Sequence, residues 1–261
     1  MTSSEINKLL NKTKTIVNEA IEILDSYNAE DLIKYSYFPE NKREMKAKVD
    51  SIMDELIFNK LVKIGLPILS EEGGNNVINN DSTYRFIVDP LDGTVNFVRN
   101  VGPSAISIAL YNGNIPIFGV VGNVLSKEIA WGGKDIGAFL GSKKLNVSDI
   151  KTLNEAILCT GFPSRFNVDN KQKLSEYCSF MGQFGKVRMM GSASISLLHV
   201  AKGSTEYYLE EDIMLWDVAA GLAIVEGAGG VITWTKGNFK NSLNVKASNG
   251  KIDNGMNKWL H

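Results

Sequence analysis

The most constraining feature of this chain is the stretch Asp-Pro-Leu-Asp-Gly-Thr-Val-Asn-Phe at residues 89–97. It follows the strand-like run 84–88, so its acidic residues stand where a strand ends and another element begins. Asp89 and Asp92 lie three residues apart, which brings two carboxylates close together along the backbone. Such a stretch is poorly suited to a hydrophobic core and well suited to a hard cation, because these ions bind carboxylates.

The residues between and after the two acids favour the same interpretation. Pro90 restricts the backbone after Asp89, and Gly93 lets the main chain approach a bound group closely. The carbonyl oxygen of Leu91 can serve as a further ligand, since Mg²⁺ and Ca²⁺ take oxygen ligands. Gly93 and Thr94 are expected to begin a helix or tight turn whose N–H groups bind a phosphate.

Carboxylates also stand at the ends of other predicted elements. Glu71 and Glu72 follow a short apolar strand at 67–70, Asp217 opens a helix, and Asp50 lies in the first turns of the second helix. Taken singly, paired glutamates before two glycines are typical of a solvated turn, and an acid at a helix start is favoured by the helix dipole. Because sites on α/β sheets form at strand ends, we expect these acids to converge with the central stretch.

Converging acids require either protons or cations. Two like charges about 4 Å apart repel by roughly 4 kcal/mol at an effective dielectric of 20. Oxygen ligands without clustered His or Cys indicate Mg²⁺. A two-metal site that acts on a phosphate ester is a recurrent arrangement of this kind. The alternative, an ordinary acidic turn at residues 89–94, does not explain the other acidic element ends.

Composition excludes several classes of protein. The formal net charge is −1, so nothing steers the chain towards nucleic acid or an acidic membrane surface, and there is no basic stripe with interleaved aromatic residues. His199 and His261 are the only histidines, which argues against a multi-histidine zinc site and a Ser-His-Asp enzyme. Two cysteines, Cys159 and Cys178, form no disulfide framework. Without an evident signal peptide or membrane span, we expect a cytoplasmic protein.

Hydrophobic periodicity predicts alternating helices and strands. The predicted helices cover 4–25 (capped by Ser3 or Ser4), 46–64, about 170–183, the stretch from a Ser192 cap to Gly203, a segment after Leu215, and a C-terminal stretch with Ile252, Met256 and Leu260. The predicted strands cover 67–70, 84–88, 105–111, 118–125, 129–131, 137–141, 145–147, 156–160, 186–189, 206–209, 231–234 and 245–248, with a loop at 28–45.

The strands between 105 and 147 have the pattern of an antiparallel meander. We therefore predict one compact catalytic unit with two halves. Residues 1–150 form an N-terminal α+β half that carries the metal-binding motifs, and residues 151–261 form an α/β half that completes the active site.

The motifs together resemble the inositol monophosphatase family. The resemblance rests on residues 89–97, on the upstream Glu71-Glu72 pair and on the downstream Leu-Trp-Asp-Val-Ala-Ala-Gly run at 215–221. The Gly-Ser-Ala at 191–193 and the two glycines at 229–230 match in order and spacing as well. The resemblance covers roughly residues 5 to 260.

The resemblance implies a fold and an activity. The fold is a layered αβαβα sandwich of the sugar-phosphatase type, with mixed and antiparallel sheets, which usually forms a homodimer. The activity is a Mg²⁺-dependent, lithium-sensitive phosphomonoesterase with two or three cations in each site, in which a metal-activated water attacks the phosphate directly. Mn²⁺ is expected to replace Mg²⁺, and Ca²⁺ and Li⁺ to inhibit.

The resemblance also assigns roles to individual residues. It implies that Glu71, Asp89 and the Leu91 carbonyl hold one metal, and that Asp89, Asp92 and Asp217 hold a second. The catalytic residues implied are Glu71 and Thr94, which activate the water, together with Asp50 and Glu72. The implied substrate contacts are Gly93 and Thr94 for the phosphate, and Gly191, Ser192, Ala193 and Glu210 for the alcohol.

Two departures from the family pattern concern the substrate more than the chemistry. The second helix lacks the usual Leu-Val-Thr run before Asp50, so the catalytic lysine of the preceding loop has no clear counterpart, with Lys42 the only candidate. Val95 stands where many members have a second threonine. Inositol monophosphate is the default substrate, and NADP(H), 3′-phosphoadenosine 5′-phosphate, fructose 1,6-bisphosphate and histidinol phosphate remain open.

Two other functions remain as alternatives. An aspartyl-phosphate phosphatase would have its motif as Asp-x-Asp-Gly-Thr, but here the aspartates are one residue further apart. A non-catalytic regulatory binding protein is the alternative from another class, and the complete set of acids favours an enzyme over it. The expected partner is a small phosphorylated substrate, with no direct binding to nucleic acid or membrane.

Overall fold

The computed structural model describes residues 1–27, 36–37, 46–76, 82–162 and 169–252. The helices are α1 (Ser3–Asp25), α2 (Lys48–Leu61), α3 (Thr94–Arg99), α4 (Lys171–Met181), α5 (Ala193–Ala201) and α6 (Leu215–Gly227), and a 3₁₀ turn covers Val62–Ile64. No helix within these ranges combines the length and the apolar character that crossing a membrane requires.

Most strands of the described chain belong to two sheets. The strands are β1 (Ser36–Tyr37), β2 (Lys46–Ala47), β3 (Ile68–Ser70), β4 (Gly74–Asn76), β5 (Tyr84–Asp92), β6 (Ala105–Asn112), β7 (Ile115–Asn123), β8 (Ile129–Gly133), β9 (Gly137–Leu140), β10 (Lys143–Lys144), β11 (Ile157–Thr160), β12 (Lys186–Arg188), β13 (Tyr207–Met214), β14 (Val231–Lys236) and β15 (Ser242–Ser248). The first sheet has the order β10-β9-β8-β7-β6-β5-β3-β4, and the second has the order β12-β11-β13-β15-β14.

Both sheets contain parallel and antiparallel pairs. In the first sheet β3 runs parallel to β5, and the strands from β5 to β10 form an antiparallel meander. In the second sheet β11 runs parallel to β12 and β13, whereas β15 is antiparallel to β13 and β14. The predicted meander is therefore confirmed.

The strands alternate their side chains between two helical layers, as the pleat of a sheet requires. Phe86 of β5 packs with α1 and α2 on one face of the first sheet, and Ile87 faces the opposite side, where α5 and α6 lie. In the second sheet Tyr208 joins this central helical layer, whereas Tyr207 packs with Phe180 of α4 on the outer face. The order is helices, sheet, helices, sheet, helix, so the predicted αβαβα sandwich is confirmed.

Several element boundaries differ from the sequence-based predictions. The cap of α1 is Thr2, not Ser3 or Ser4, because Thr2 and Glu5 exchange hydrogen bonds in a capping box. The second helix begins at Lys48 and changes to a 3₁₀ turn at Val62, two residues short of the predicted 46–64 helix at its start. The predicted strand at 145–147 is absent, and Lys143–Lys144 pairs with β9 instead.

Two strands continue through acidic residues where the sequence predicted an end. β5 extends to Asp92, with a register shift between Asp89 and Asp92, because Pro90 has no N–H to donate to the ladder. β13 extends from the predicted end at 209 to Met214, with a comparable register shift between Glu210 and Ile213. In both cases the register of an interior strand shifts at the acidic residues and the strand continues beyond them.

Several predicted features lie outside the described residues. These are most of the 28–45 loop, including Lys42, and the C-terminal helix beyond Ile252. The first sheet is formed by residues 68–144 and the second by residues 157–248. Helix α6 contacts strands of both sheets, so the two halves share a helical layer. The division of the chain at residue 150 remains a prediction.

Candidate active site

The acidic end of β5 is buried in the first sheet. Asp89 is 1% exposed and Asp92 is 8% exposed. The bulge turns the backbone so that the Leu91 N–H donates to Asp89 Oδ1 over 3.0 Å. This local bond fixes one oxygen of Asp89.

Three carboxylates converge beside this bulge. Glu71 directly follows β3, the parallel neighbour of β5, and its N–H donates to the Val88 carbonyl over 3.3 Å. Asp217 lies in the first turn of α6. One carboxylate oxygen from each of Glu71, Asp89 and Asp217 lies within 4.8 Å of the other two, so the three can hold a metal ion together.

The electrostatics of this group fit a cation. Burial raises the pKa of Asp89 well above its usual range, and the charges of Glu71, Asp92 and Asp217 raise it further. Burial also raises the pKa of Asp217 well above its usual range, and the charges of Glu71, Asp92 and Glu210 raise it further. Without a cation these carboxyls must hold protons, and a bound divalent cation removes that need. All the donors are oxygens, which suits Mg²⁺.

Asp92 is close to this group but does not belong to the set of three. Its Oδ2 accepts hydrogen bonds from the Ser192 hydroxyl over 2.6 Å and from the Ser194 N–H over 2.7 Å. Burial raises the pKa of Asp92, whereas these hydrogen bonds act in the opposite direction. Asp92 therefore joins the metal motif to the start of α5.

Thr94 is placed next to Asp50, 44 positions earlier in the chain. The Thr94 hydroxyl lies 3.0 Å from Asp50 Oδ1 and 3.1 Å from the Leu91 carbonyl oxygen. It has one proton, so donation to Asp50 leaves the Leu91 oxygen free to face a cation. Asp50 itself is 4% exposed, which shows that it is not merely a solvated charge at a helix start.

Gly93 connects the metal motif to α3 in a conformation that side chains disfavour. Its φ is +86°, and a Cβ there would lie 3.1 Å from the carbonyl oxygens of Gly191 and Pro103. The predicted substrate segment at 191–193 therefore packs directly against the predicted phosphate cradle. Ser192 caps α5 by accepting from the Ile195 N–H, as the sequence predicted.

Glu210 lies in the bulge of β13 and is half-buried. The Tyr208 hydroxyl donates to its Oε2 over 2.9 Å. Burial raises the pKa of Glu210 to about 7, and the charge of Asp92 adds to this shift. Glu210 therefore lies near Asp92.

Glu72 lies beside an acid that the sequence did not single out. Asp54 of α2 accepts a hydrogen bond from the buried Ser70 hydroxyl. Burial raises the pKa of Asp54, and the charge of Glu72 contributes in the same direction. The helical position of Asp54, one turn after Asp50, is the signal that could have identified it.

Asn96 is a second residue that the sequence left without a role. Its side chain is 9% exposed, and its amide donates to the carbonyls of Pro103 over 2.8 Å and Met190 over 2.7 Å. It thus ties the loop after α3 to the segment before α5. The signal available in the sequence was the position of this asparagine within the motif at 89–97.

Comparisons with known proteins identify the family of the chain. A sequence model described as the inositol monophosphatase family matches residues 6–260. An inositol-1-monophosphatase of Rhizobium meliloti (strain 1021) is 37% identical over 169 residues, which are 65% of this chain and 64% of that protein, just under two thirds of its length. A fructose-1,6-bisphosphatase/inositol-1-monophosphatase of Aquifex aeolicus (strain VF5) is 32% identical over 194 residues, 74% of this chain and 73% of that protein.

A solved structure shares the whole fold. The crystal structure of the extragenic suppressor protein suhB from Bartonella henselae matches with a TM-score of 0.82 and 29% identity, and covers 94% of this chain and 95% of that chain. Together with the family match, the relatives named inositol-1-monophosphatase confirm the prediction of a phosphoric monoester hydrolase. This chain belongs to the inositol monophosphatase family.

Proposed function

We propose that the chain hydrolyses inositol monophosphate, or a related small phosphate ester, in a reaction that depends on Mg²⁺. The observation that carries the proposal is the convergence of Glu71, Asp89 and Asp217, whose oxygens lie within 4.8 Å of one another. A phosphomonoester brings further negative charge to this place, so binding it requires cations among the carboxylates.

We propose that the chain's own oxygens hold two cations. Glu71, Asp89 and the Leu91 carbonyl would hold one, and Asp89, Asp92 and Asp217 would hold the other. Bound there, Mg²⁺ would neutralise phosphoryl oxygens and make a water more acidic. We propose that a third cation binds more weakly near Glu72, that Mn²⁺ replaces Mg²⁺, and that Ca²⁺ and Li⁺ inhibit.

Thr94, Asp50 and Glu71 would orient and deprotonate the attacking water. With its proton donated to Asp50 Oδ1, the Thr94 oxygen can accept a hydrogen bond from that water. The proton of the water then moves through Thr94 to Asp50 as the water oxygen attacks phosphorus. The bond from phosphorus to the alcohol oxygen breaks, and that oxygen takes up a proton from solvent water as it leaves.

The phosphate and the alcohol would occupy neighbouring subsites. The N–H groups of Gly93 and Thr94 would contact the phosphate. Residues 191–193, which pack against Gly93, and the Glu210 carboxylate would contact hydroxyl groups of the alcohol. A carboxylate accepts hydrogen bonds from neighbouring hydroxyls, which suits a polyol.

A second substrate is favoured by one specific observation. The Aquifex aeolicus relative is named for both fructose-1,6-bisphosphatase and inositol-1-monophosphatase activity. Fructose 1,6-bisphosphate also combines a phosphate monoester with several hydroxyls. It therefore belongs in any test beside inositol monophosphate, NADP⁺ and 3′-phosphoadenosine 5′-phosphate.

Phosphate release from these esters tests the proposal. The metal-stripped protein is assayed with increasing Mg²⁺, with and without Li⁺, beside Asp217→Asn and the control Asp149→Asn. Asp149 has a side chain that is 93% exposed, so the control makes the same chemical change away from the site. We expect release by the wild type and the control but not by Asp217→Asn. No release from any ester would support the regulatory binding alternative instead.

The stereochemical course at phosphorus tests direct attack. With a phosphate ester made chiral at phosphorus by oxygen isotopes and sulfur, one displacement by water inverts the configuration. Retention would show two displacements and would support the aspartyl-phosphate route, in which Asp89 or Asp92 first displaces the alcohol and water then breaks the bond between phosphorus and the carboxylate oxygen.

We propose that the chain acts as a cytoplasmic homodimer. Family resemblance supports the dimer, and the absence of a disulfide framework among two cysteines supports the compartment. Light scattering of the purified chain measures its mass directly. A monomeric mass at micromolar concentration would contradict the dimer.

A further inference from the structure

The Glu210 carboxylate is held by donors from two different strands. The Tyr208 hydroxyl donates to Oε2 over 2.9 Å, and the N–H of Gly161, at the end of β11, donates to the same carboxylate. Tyr208 is fully buried, with 0% exposure, so its ring cannot swing away from Glu210 without disturbing the central core. The carboxylate therefore has a fixed position and keeps lone pairs for other donors.

Gly161 is itself held in place. Its carbonyl accepts from the Tyr177 hydroxyl of α4 over 2.6 Å, and the Thr160 hydroxyl lies 2.6 Å from the Tyr177 hydroxyl. A Cβ at position 161 would overlap the Glu210 carboxylate, so only glycine permits this close approach. Burial raises the pKa of Tyr177 to about 12 and raises that of Tyr208 as well, so both phenols remain donors at neutral pH.

We propose that Tyr208 is a positioning residue that sets the preference of the site for polyol phosphates over esters whose alcohol has no hydroxyl. It acts through Glu210, by directing the carboxylate towards the hydroxyls of the alcohol. This rests on the proposed function, because it concerns the alcohol subsite of the same reaction. Such contacts lie away from the reacting phosphorus, so they are made equally in the bound substrate and the transition state.

Tyr208→Phe tests this, because it removes one oxygen and keeps the ring. We expect KM for inositol 1-phosphate to rise about tenfold, the size expected for one hydrogen bond to a charged group, with kcat changed less than twofold. For p-nitrophenyl phosphate, whose alcohol has no further hydroxyl, both constants should stay as in the wild type.

Tyr207→Phe is the matched control. Tyr207 is the adjacent residue, 1% exposed, and packs on the opposite face of the strand against Phe180 and Phe184. The same loss of a buried phenol oxygen there should leave the ratio of the two substrates unchanged. Thermal unfolding of each variant identifies a general loss of structure.

A double-mutant cycle shows whether Tyr208 acts through Glu210. Once Glu210→Gln has removed the charge, adding Tyr208→Phe should change KM for inositol 1-phosphate less than twofold. If the Tyr208→Phe variant does not fold, Tyr177→Phe is used in its place, because it removes the hydrogen bond that holds Gly161 against the Glu210 carboxylate. It should raise KM for inositol 1-phosphate and leave KM for p-nitrophenyl phosphate unchanged.

The outcomes separate the inference from the function it rests on. If the wild type releases phosphate but Tyr208→Phe impairs both substrates equally, the positioning role is wrong and the phosphatase remains. Additive effects in the cycle would also overturn it. If the wild type releases no phosphate from either ester, the proposed function itself fails.

Discussion

Asp89→Asn should stabilise the metal-free protein and weaken metal binding. The reason is that the Asp89 carboxylate destabilises the metal-free fold by repulsion and binds the cation when one is present. At 4.8 Å and an effective dielectric of 20, two ionised carboxylates repel by about 3.5 kcal/mol. Protonating one carboxyl at pH 7 instead costs about 4 kcal/mol for an ordinary pKa near 3.9. Either way, the metal-free wild type carries a penalty of this size.

The amide keeps the shape of the side chain and removes the charge. It can still accept from the Leu91 N–H, as Asp89 Oδ1 does over 3.0 Å. We therefore expect metal-free Asp89→Asn to be more stable than the wild type by about 2–4 kcal/mol. This corresponds to an increase in Tm of about 5–10 °C.

Mg²⁺ should reverse this order of stability. At a hundred times its dissociation constant, a ligand that binds only the folded state adds about 2.7 kcal/mol. We expect Mg²⁺ to raise the Tm of the wild type by a comparable 5–10 °C and to change that of Asp89→Asn little. Differential scanning calorimetry at pH 8, first with chelator and then with Mg²⁺, measures both shifts.

The stability of the metal-free wild type should depend on pH because of Asp89. Folding raises the pKa of Asp89, so the folded protein holds a proton that the unfolded chain releases. The stability of the metal-free wild type therefore falls as the pH rises above the ordinary aspartate range, near about 4. The advantage of Asp89→Asn should shrink as the pH falls towards that range.

Asp149→Asn is the control and should show neither effect, because its side chain is 93% exposed. An equal Mg²⁺ shift in Asp89→Asn and the wild type would refute the assignment of Asp89 as a metal ligand. A lower Tm for the metal-free variant would refute the repulsion among the three carboxylates.

Three further predictions concern the neighbours of the acidic group. Thr94→Val should lower kcat in a phosphate-release assay by about 10²–10³-fold. The Mg²⁺-induced rise in Tm should be the same as in the wild type. Loss of that rise would show that Thr94 supports metal binding rather than the attacking water. Asn96→Ala should lower the free energy of unfolding by about 2 kcal/mol, measured by urea denaturation, because it leaves two backbone carbonyls without their donor; an unchanged midpoint would exclude the bridging role. Glu210→Gln should be more stable than the metal-free wild type at pH 8 by up to about 3 kcal/mol. Folding raises the pKa of Glu210 to about 7, so the wild type loses stability as the pH rises from about 5 to about 7, and the glutamine does not titrate. Equal slopes of unfolding free energy against pH in the two proteins would contradict the raised pKa.

The sequence predicted the local chemistry of the site well. The spacing of Asp89 and Asp92, the proline between them and the glycine after them predicted a pair of carboxylates beside a strand end. The continuation of β5 through a register shift to Asp92 was not predicted. The cap at Ser192 was predictable, since a capping hydroxyl bonds to N–H groups within its own turn. Periodicity predicted individual helices and strands, whereas the layered fold was implied by the family resemblance that the motifs carry.

Other features depended on residues far apart in the chain. The sequence predicted that the strand at 206–209 ends before Glu210, yet pairing with β15 carries β13 on to Met214. The cap of α1 is a different case, because Thr2 and Glu5 are only three residues apart and form a capping box that the sequence itself contains.

By itself, the sequence determined which residues have the chemistry of a cation site, and through them the family and the class of reaction. Only the tertiary structure brought Glu71, Asp89 and Asp217 together, set Asp92 against the start of α5, and placed Tyr208 behind Glu210. The physical reason is range. Turns, caps and bulges form from bonds within a few residues, whereas a site assembled from three separate segments depends on how two sheets pack against one shared layer of helices.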